Sequence, residues 1–188
     1  IFTGAHGVAN GLDSVLDVAL ELKRRNRMDI TLTFVGQGKL KPVLMERARK
    51  EGLANCIFLD PVPKEKLARL MVEVDLGLMI LANFPAFYRG TSPNKFFDYI
   101  ASGLPVLNNY PGWLADLISE NDCGFVVEPD NPIAFADELE RAVDNRPSLE
   151  SKGDNAKVLA RRAFKRDLLA NEWVDVVEST YMASQKSL

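Results

Sequence analysis

The chain has 188 residues, 47% of them hydrophobic and 26% charged, which is the composition and length of one ordinary globular domain. Its formal net charge of −3 excludes the broad basic field that drives nonspecific binding to nucleic acid. No apolar run reaches the roughly 18 residues of a membrane-spanning helix, and no signal-peptide pattern is present. Because the sequence opens at Ile1, inside an apolar segment and without Met, we expect it to be part of a longer protein.

Short apolar runs alternate with helical patterns from the first residue to about residue 145. Strands of this kind are buried on both faces, so the pattern predicts an α/β fold with a doubly wound, Rossmann-like parallel sheet and helices on both faces. The predicted strands are residues 1–4, 30–35, 56–59, 76–80, 105–108 and 124–127.

Ligands of doubly wound sheets bind at the carboxyl ends of the strands. A site is therefore expected in the loops 4–11, 36–39, 60–63, 81–92 and 109–113. The first loop carries His6, the single histidine of the chain. Its simplest interpretation is an ordinary polar loop residue.

Cys56 and Cys123 lie in apolar runs without a CxxC pattern or a cluster with histidine. This spacing favours reduced, buried thiols in a cytoplasmic protein, and it gives no sign of a metal site.

Helix signals are strongest around Ser92 and Pro93, because serine caps helix amides and proline at the first turn needs no donor. Gly103 and Pro105 are typical of the helix end. Lys95 then falls in the first turn, where the helix dipole disfavours a cation by roughly 0.3–1 kcal/mol. A bound diphosphate, held by Lys95 and the free amides, would reverse that penalty.

Asp98 lies three residues after Lys95, on nearly the same face of this helix. A carboxylate there is suited to hold the hydroxyl groups of a ribose. The alternative is that Lys95 and Asp98 form a solvated ion pair with no role in binding.

After residue 144 the sequence predicts two further helices, at about 148–163 and 166–183, and no strand. The chain is therefore predicted to be a single domain over 1–188, with its core at about 1–145. A basic cluster in these helices is typical of a solvated face, and it also suits contact with an anionic membrane surface. Its members are Lys157, Arg161, Arg162, Lys165 and Arg166.

The run from Ser92 to Val106 resembles the donor-site segment of family-4 retaining glycosyltransferases, in which an acidic residue precedes an apolar stretch and then Gly-x-Pro-Val. It is especially similar to the bacterial branch that makes surface polysaccharides such as lipopolysaccharide. Further matches keep the family's order along most of the chain: Gly4-Ala5-His6-Gly7 before Gly11-Leu12-Asp13, Phe34-Val35-Gly36-Gln37-Gly38, Phe58-Leu59-Asp60-Pro61-Val62-Pro63 and Pro129-Asp130-Asn131-Pro132.

The resemblance implies the C-terminal half of a GT-B fold, which binds the nucleotide-sugar donor, while an N-terminal acceptor domain is absent. It places Asp98 on the ribose, Lys95 and the start of its helix on the diphosphate, and the backbone near Val62 beside the base. The other substrate-binding candidates that it implies are Ser92, Asn94, Arg89, Gly7 and His6, the last as a polar contact to the leaving diphosphate.

Two departures from the family qualify these assignments. Many members carry a second acidic residue eight positions before the first, but Gly90 stands there. Many also carry Arg and Lys in and after the first loop, whereas residues 4–12 contain only His6. Lys95, together with Arg89, is therefore expected to supply the positive charge.

The resemblance further implies glycosyl transfer with retention of configuration, to a saccharide or lipid-linked acceptor bound largely by the missing domain. No catalytic residue is identified. No metal or other cofactor is implied, because cationic side chains and a helix terminus can stabilise the leaving diphosphate. Trp113 is suited to pack on a sugar or base, or in the core.

Three other interpretations remain open at this point. A GT-B nucleotide-sugar epimerase would share the donor site. A nicotinamide-dependent dehydrogenase is indicated by Gly36-Gln37-Gly38 with Asp60 about twenty residues on, although Lys41 stands where the third glycine belongs. A non-catalytic, flavodoxin-like binding module fits the alternation but gives no reason for Lys95.

Overall fold

The computed structural model describes residues 1–88 and 90–185. All six predicted strands form, and five of them are shorter than predicted because pairing with a neighbouring strand covers fewer residues. They are β1 (Phe2–Thr3), β2 (Leu32–Val35), β3 (Cys56–Leu59), β4 (Gly77–Met79), β5 (Val106–Asn108) and β6 (Gly124–Val126).

The strands are parallel and pair in the orders β1-β2-β3 and β4-β5-β6. β1 lies beside β4, since the Leu78 amide donates to the Ile1 carbonyl at 2.7 Å and the Ile1 nitrogen donates to the Leu76 carbonyl at 2.7 Å. In space the strands therefore follow the order β3-β2-β1-β4-β5-β6. Successive strands are added in one direction from β1 to β3 and in the opposite direction from β4 to β6, so the switch point of a doubly wound sheet lies between β1 and β4, as predicted.

Helices cover the strands on both sides, and a 3-10 turn (Val8–Asn10) precedes the first of them. α1 packs on α7 over one apolar cluster, while α5 packs on α8 over another. The helices are α1 (Leu12–Arg24), α2 (Lys41–Glu51), α3 (Lys64–Val72), α4 (Pro85–Tyr88), α5 (Asn94–Ser102), α6 (Trp113–Glu120), α7 (Pro132–Asp144), α8 (Arg146–Ala163) and α9 (Arg166–Gln185).

The two predicted C-terminal helices form as α8 and α9, and the described residues after Asp144 contain no strand. α8 packs on the domain through Leu149, Ala156 and Leu159, which are buried. Along α9, by contrast, every side chain from 166 to 182 is exposed. The last helix therefore extends from the domain instead of covering the sheet.

Cys56 and Cys123 are free thiols, Cys123 buried and Cys56 only partly so. Burial raises the pKa of Cys56 to about 12 and that of Cys123 to about 11.

Within 1–88 and 90–185, no helix is long and apolar enough to cross a bilayer. The same residues contain no group of three or more His, Cys, Asp or Glu side chains suited to hold a metal ion.

Candidate functional site

The start of α5 lies at the switch point of the sheet, beside the loop that follows β1. The helix begins at Asn94, and Pro93 precedes it in an extended conformation with φ −81° and ψ 125°. The prediction that Ser92 caps the helix is therefore wrong: no side chain caps it, and Ser92 lies one residue further out. Because a helix's first amides have no partner within the helix, this end is left open to an outside acceptor.

The end of α5 is as predicted. Gly103 adopts the left-handed conformation with φ +77°, and the Leu104 amide donates to the Tyr99 carbonyl at 3.0 Å. Tyr99 itself is fully buried, and its hydroxyl accepts from the Thr3 amide at 2.9 Å. These contacts fix α5 against the end of β1.

Lys95 reaches from the first turn of α5 into the loop after β1. Its Nζ lies 4.1 Å from the centre of the Phe2 ring and donates to Asn10 Oδ1 at 3.2 Å. No carboxylate in the described parts of the chain forms an ion pair with it, so the solvated pair with Asp98 does not form. Burial lowers the pKa of Lys95 to about 8.

Asp98 and Asn94 lie on the exposed side of α5, whereas Phe96, Tyr99 and Ile100 are buried. Within the described residues the Asp98 carboxylate accepts no hydrogen bond and forms no ion pair. It is therefore open to a ligand that approaches from the carboxyl side of the sheet.

His6 is fully buried, so its interpretation as an ordinary polar loop residue is wrong. Its ring lies 6.1–6.4 Å from those of Phe2, Phe34 and Phe58. Neither ring nitrogen has a hydrogen-bond partner in the part of the chain that the structure describes. Burial, and then the charges of Lys41 and Lys95, lower the pKa of His6, which favours the neutral ring.

The loops after β1 and β2 are packed together by their backbones. The His6 amide donates to the Gln37 carbonyl at 2.9 Å, and the Leu40 amide donates to the His6 carbonyl at 3.0 Å. A Cβ at Gly36 would meet the Gly4 oxygen at 1.9 Å, and one at Gly38 would meet the His6 oxygen at 2.5 Å. These two glycines are thus required by loop packing, without any dinucleotide.

Lys41 is a buried cation that the sequence analysis noted only as a departure from a fingerprint. Its Nζ donates to the Gly36 and Leu59 carbonyls at 3.0 and 2.9 Å and to Asp60 Oδ1 at 2.7 Å. It therefore binds the carboxyl ends of β2 and β3, and it pairs with the carboxylate that a dinucleotide-binding site would need for ribose. The signal available in the sequence was a lysine three residues after Gly36-Gln37-Gly38, and its burial is visible only in the structure.

Three of the remaining candidates, Val62, Gly7 and Trp113, are among the described residues. Val62 is half-buried after β3, and Gly7 precedes the 3-10 turn, where an added Cβ would meet nothing within 4 Å. Arg89 lies outside the described residues. Trp113 is partly exposed, with Nε1 donating to the Thr91 carbonyl at 3.1 Å and its ring edge-on to Phe96 at 6.4 Å.

Two further side chains of the β4–α5 loop, which sequence reasoning missed, are exposed on this rim. Phe84 and Phe87 pack edge to face at 5.8 Å. Asn83 anchors the loop, since it donates to Asp130 at 2.7 Å and accepts from the Tyr88 hydroxyl. The signal in the sequence was the presence of two phenylalanines in the loop 81–92, where a site was expected.

A Rossmann-like domain with an unpaired cation and an open helix N-terminus at its switch point has the features of a site for a phosphate-containing ligand. The family described as Glycosyl transferases group 1 matches residues 1–145, and the chain belongs to this family. This membership favours the glycosyltransferase interpretation over the dehydrogenase and flavodoxin-like alternatives.

Among curated proteins, the chain is 29% identical over 115 residues to a D-inositol 3-phosphate glycosyltransferase of Corynebacterium diphtheriae, across 58% of this chain and 24% of the relative. The chain thus matches about a quarter of that relative's length.

Solved structures share the fold. The lipopolysaccharide glycosyltransferase WaaG is 24% identical with a TM-score of 0.70, over 87% of this chain and 42% of WaaG. HepE of Anabaena, solved with UDP, is 17% identical with a TM-score of 0.75, over 95% and 48% of the two chains. The C-terminal domain of LpcC from Francisella tularensis is 17% identical with a TM-score of 0.67, over 88% and 85%.

Proposed function

We propose that this chain is the donor-binding, C-terminal domain of a retaining GT-B glycosyltransferase of the family-4 type. It binds a nucleoside-diphosphate sugar at the carboxyl ends of β1 and β4, and the whole protein transfers the glycosyl group. The acceptor is a saccharide, in our proposal lipid-linked, in the synthesis of a bacterial surface polysaccharide such as lipopolysaccharide. The observation that carries the proposal is Lys95, a desolvated cation without a carboxylate partner beside an open helix N-terminus.

The electrostatics of this edge suit a diphosphate. The dipole of α5 and the Lys95 ammonium both favour an anion, and no acidic side chain neutralises them in the described residues. During transfer, negative charge grows on the departing diphosphate, so a preorganised cation and backbone amides lower the barrier. These groups supply the stabilisation that a metal ion supplies elsewhere, and we expect donor binding to need no added cofactor.

Asp98 is proposed to hold the ribose hydroxyls, because its carboxylate is exposed and unpaired one helical turn beyond Lys95. The backbone near Val62 would lie beside the base. Asn94, Ser92 and Gly7 line the same edge, and their contacts to the donor remain predictions, as do those of Arg89 and His6.

The acceptor is proposed to bind an N-terminal domain that contacts α9. We propose that the exposed apolar side chains of α9 pack on a protein and not on a membrane, since the helix also carries Asp167, Glu172, Asp175 and Glu178, which an anionic membrane would repel. Membrane contact at the cytoplasmic face is better suited to the basic cluster at 157–166, whose five cations are all exposed. With only one side of the cleft present, the chain alone should show no multiple-turnover transfer.

Thermal melting with a panel of nucleotide sugars, nucleoside diphosphates and nucleosides tests this proposal. Ligands that bind the folded chain raise Tm by mass action. We expect at least one nucleotide sugar and its nucleoside diphosphate to stabilise the chain more than the bare nucleoside does. The proposal fails if no nucleoside diphosphate shifts Tm at millimolar concentration.

The epimerase alternative shares this donor site and would give the same melting result. Product analysis on the longer protein separates the two. Glycosyl transfer to an acceptor supports the transferase, whereas release of an epimerised sugar without an acceptor supports the alternative.

A further inference from the structure

Both the nitrogen and the oxygen of the Asn10 side-chain amide form hydrogen bonds. Asn10 closes the 3-10 turn after β1, and its Nδ2 donates to the Ala5 carbonyl at 2.7 Å. Its Oδ1 accepts from Lys95 Nζ at 3.2 Å. Only this orientation of the amide satisfies both neighbours, because a carbonyl can only accept and an ammonium can only donate. The bond to Ala5 therefore aims the Asn10 oxygen at Lys95.

Besides Asn10, the Lys95 head lies near the Phe2 ring, the Gly4 backbone and the buried His6 ring. The Phe2 ring lies on one side, and a Cβ at Gly4 would stand 3.2 Å from Lys95 Cε and 3.4 Å from Nζ. Gly4 has φ +139°, which side-chain-bearing residues rarely adopt, so the space that the lysine occupies is built into the loop. Among the described residues, Asn10 Oδ1 is the atom that accepts a hydrogen bond from this ammonium.

A neutral acceptor has a particular consequence at an anion site. A carboxylate at position 10 would hold the ammonium more strongly, but it would also cancel the charge that a diphosphate needs. An amide oxygen orients the ammonium by a hydrogen bond and leaves its full charge in place. The chain thus fixes a cation without neutralising it.

We infer that Asn10 is a positioning residue for the donor site, which holds the Lys95 ammonium above Gly4 and Phe2 so that it faces the donor's diphosphate. This inference rests on the proposed function. The inferred role of Asn10 requires no contact between Asn10 and the diphosphate. It acts on binding only through Lys95.

The test is calorimetry of UDP and uridine binding to the parent chain and to Asn10→Ala, Lys95→Ala and the double variant. Asn10→Ala is expected to weaken UDP binding about five-fold, the effect of one ordinary hydrogen bond, and to leave uridine binding unchanged. In the Lys95→Ala background, Asn10→Ala should change UDP affinity no further, because the group it positions is gone.

Asn155→Ala is the matched control. Asn155 also ties its amide to a backbone carbonyl, that of Asp122, at 3.1 Å, but it lies on α8 and contacts no part of the site. Its removal should leave UDP and uridine binding as in the parent. If Asn155→Ala lowered UDP affinity as much as Asn10→Ala does, the inference would be overturned, since the loss of any hydrogen bond from an asparagine side chain to the backbone would then weaken UDP binding.

Asn10→Asp gives a second readout that a purely structural role would not move. The new carboxylate beside the ammonium should raise the pKa of Lys95, so the loss of UDP affinity at alkaline pH moves to higher pH. At neutral pH the same variant should bind UDP more weakly than the parent, because the charge is paired. His6, which faces Lys95 from the first loop, has a pKa lowered by burial, so its titration lies away from the alkaline range and the alkaline shift belongs to Lys95.

The outcomes separate the two proposals. If Lys95→Ala binds UDP as the parent does, the diphosphate site proposed above is wrong. If Lys95→Ala weakens UDP binding while Asn10→Ala does not, only the role of Asn10 is overturned. Equal losses of UDP and uridine in Asn10→Ala would also overturn it. Should that variant fail to fold, the alkaline shift in Asn10→Asp decides, and no shift counts against the inference.

Discussion

α5 and α9 are both rich in apolar side chains, yet the structure uses them in opposite ways. α5 buries Phe96, Tyr99 and Ile100 against the sheet and α8. α9 leaves Trp173 69% exposed and Val176 62% exposed. The difference shows that an apolar face is packed only where the fold supplies a surface opposite to it. In α5 that rigid packing also fixes the position of Lys95.

Hydrogen exchange should give the largest contrast between these two helices. Amides of α5 lie under tertiary contacts, whereas those of α9 are held by the helix alone, so α9 should exchange faster by orders of magnitude. Mass spectrometry of the exchanging chain measures both at once. Equal protection in α9 and α5 would show that α9 is packed in solution, against the comparison.

Replacing one aromatic residue of each helix with alanine should affect the free energy of unfolding in α5 far more than in α9. Phe96→Ala removes a fully buried ring and should cost about 3–5 kcal/mol. Trp173→Ala removes a larger but exposed ring and should change stability by less than about 0.5 kcal/mol. Urea denaturation of the two variants is sufficient. Similar losses in both would contradict the exposed position of α9.

Lys95→Ala tests whether the ammonium group at the start of α5 binds the diphosphate. Loss of a charge-assisted hydrogen bond should weaken nucleoside diphosphate binding by about 1.5–3 kcal/mol and leave the bare nucleoside nearly unaffected. Asp98→Asn should weaken both ligands alike, since ribose is common to them. Calorimetry with UDP and uridine distinguishes the patterns. Unchanged UDP binding in Lys95→Ala would place the phosphate site elsewhere.

The pH dependence of binding follows from the same lysine. With a pKa of about 8, Lys95 is charged below that pH, and UDP affinity should fall as the pH rises through it. Because bound diphosphate favours the charged form, binding should take up protons near pH 8. The free energy of unfolding changes in the opposite sense. Between about pH 8 and pH 10.5 Lys95 is protonated in the unfolded chain but neutral in the folded one, so the folded chain becomes more stable as the pH rises through this range. Calorimetry of the parent in buffers of different ionisation enthalpy measures the uptake, and Lys95→Met should abolish it.

A chelator should have the smallest effect. If Lys95 and the α5 amides alone hold the diphosphate, EDTA should leave the UDP affinity of the chain unchanged. Calorimetry with EDTA, and separately with added Mg²⁺, measures this. A tenfold gain in affinity with Mg²⁺ would show that the site uses a metal and would contradict the expectation.

Local pattern was enough to predict the order of strands and helices. Apolar runs of four or five residues and the spacing of Leu12, Leu16 and Ala19 are set by neighbours along the chain, and the fold keeps them. The capping residue of α5 was predicted wrongly, because Ser92 and Pro93 both fit the first positions of a helix and the sequence does not show which residue is extended. Lys95 and Asp98 were identified from the dipole penalty and the helical spacing, and their binding roles remain predictions.

The surroundings of those residues depend on contacts between distant parts of the chain. Nothing near Lys95 in sequence indicates Phe2, Gly4 or Asn10, which reach it because β1 and β4 are neighbours in the sheet. His6 was expected to be an ordinary polar loop residue, but the loop after β2 and three phenylalanine rings enclose it. The sequence by itself determined which segments are strands and helices, because periodicity is a local property. Only the tertiary structure decided which side chains lose water and that the desolvated Lys95 has no carboxylate partner among the described residues, because both depend on what packs against a side chain.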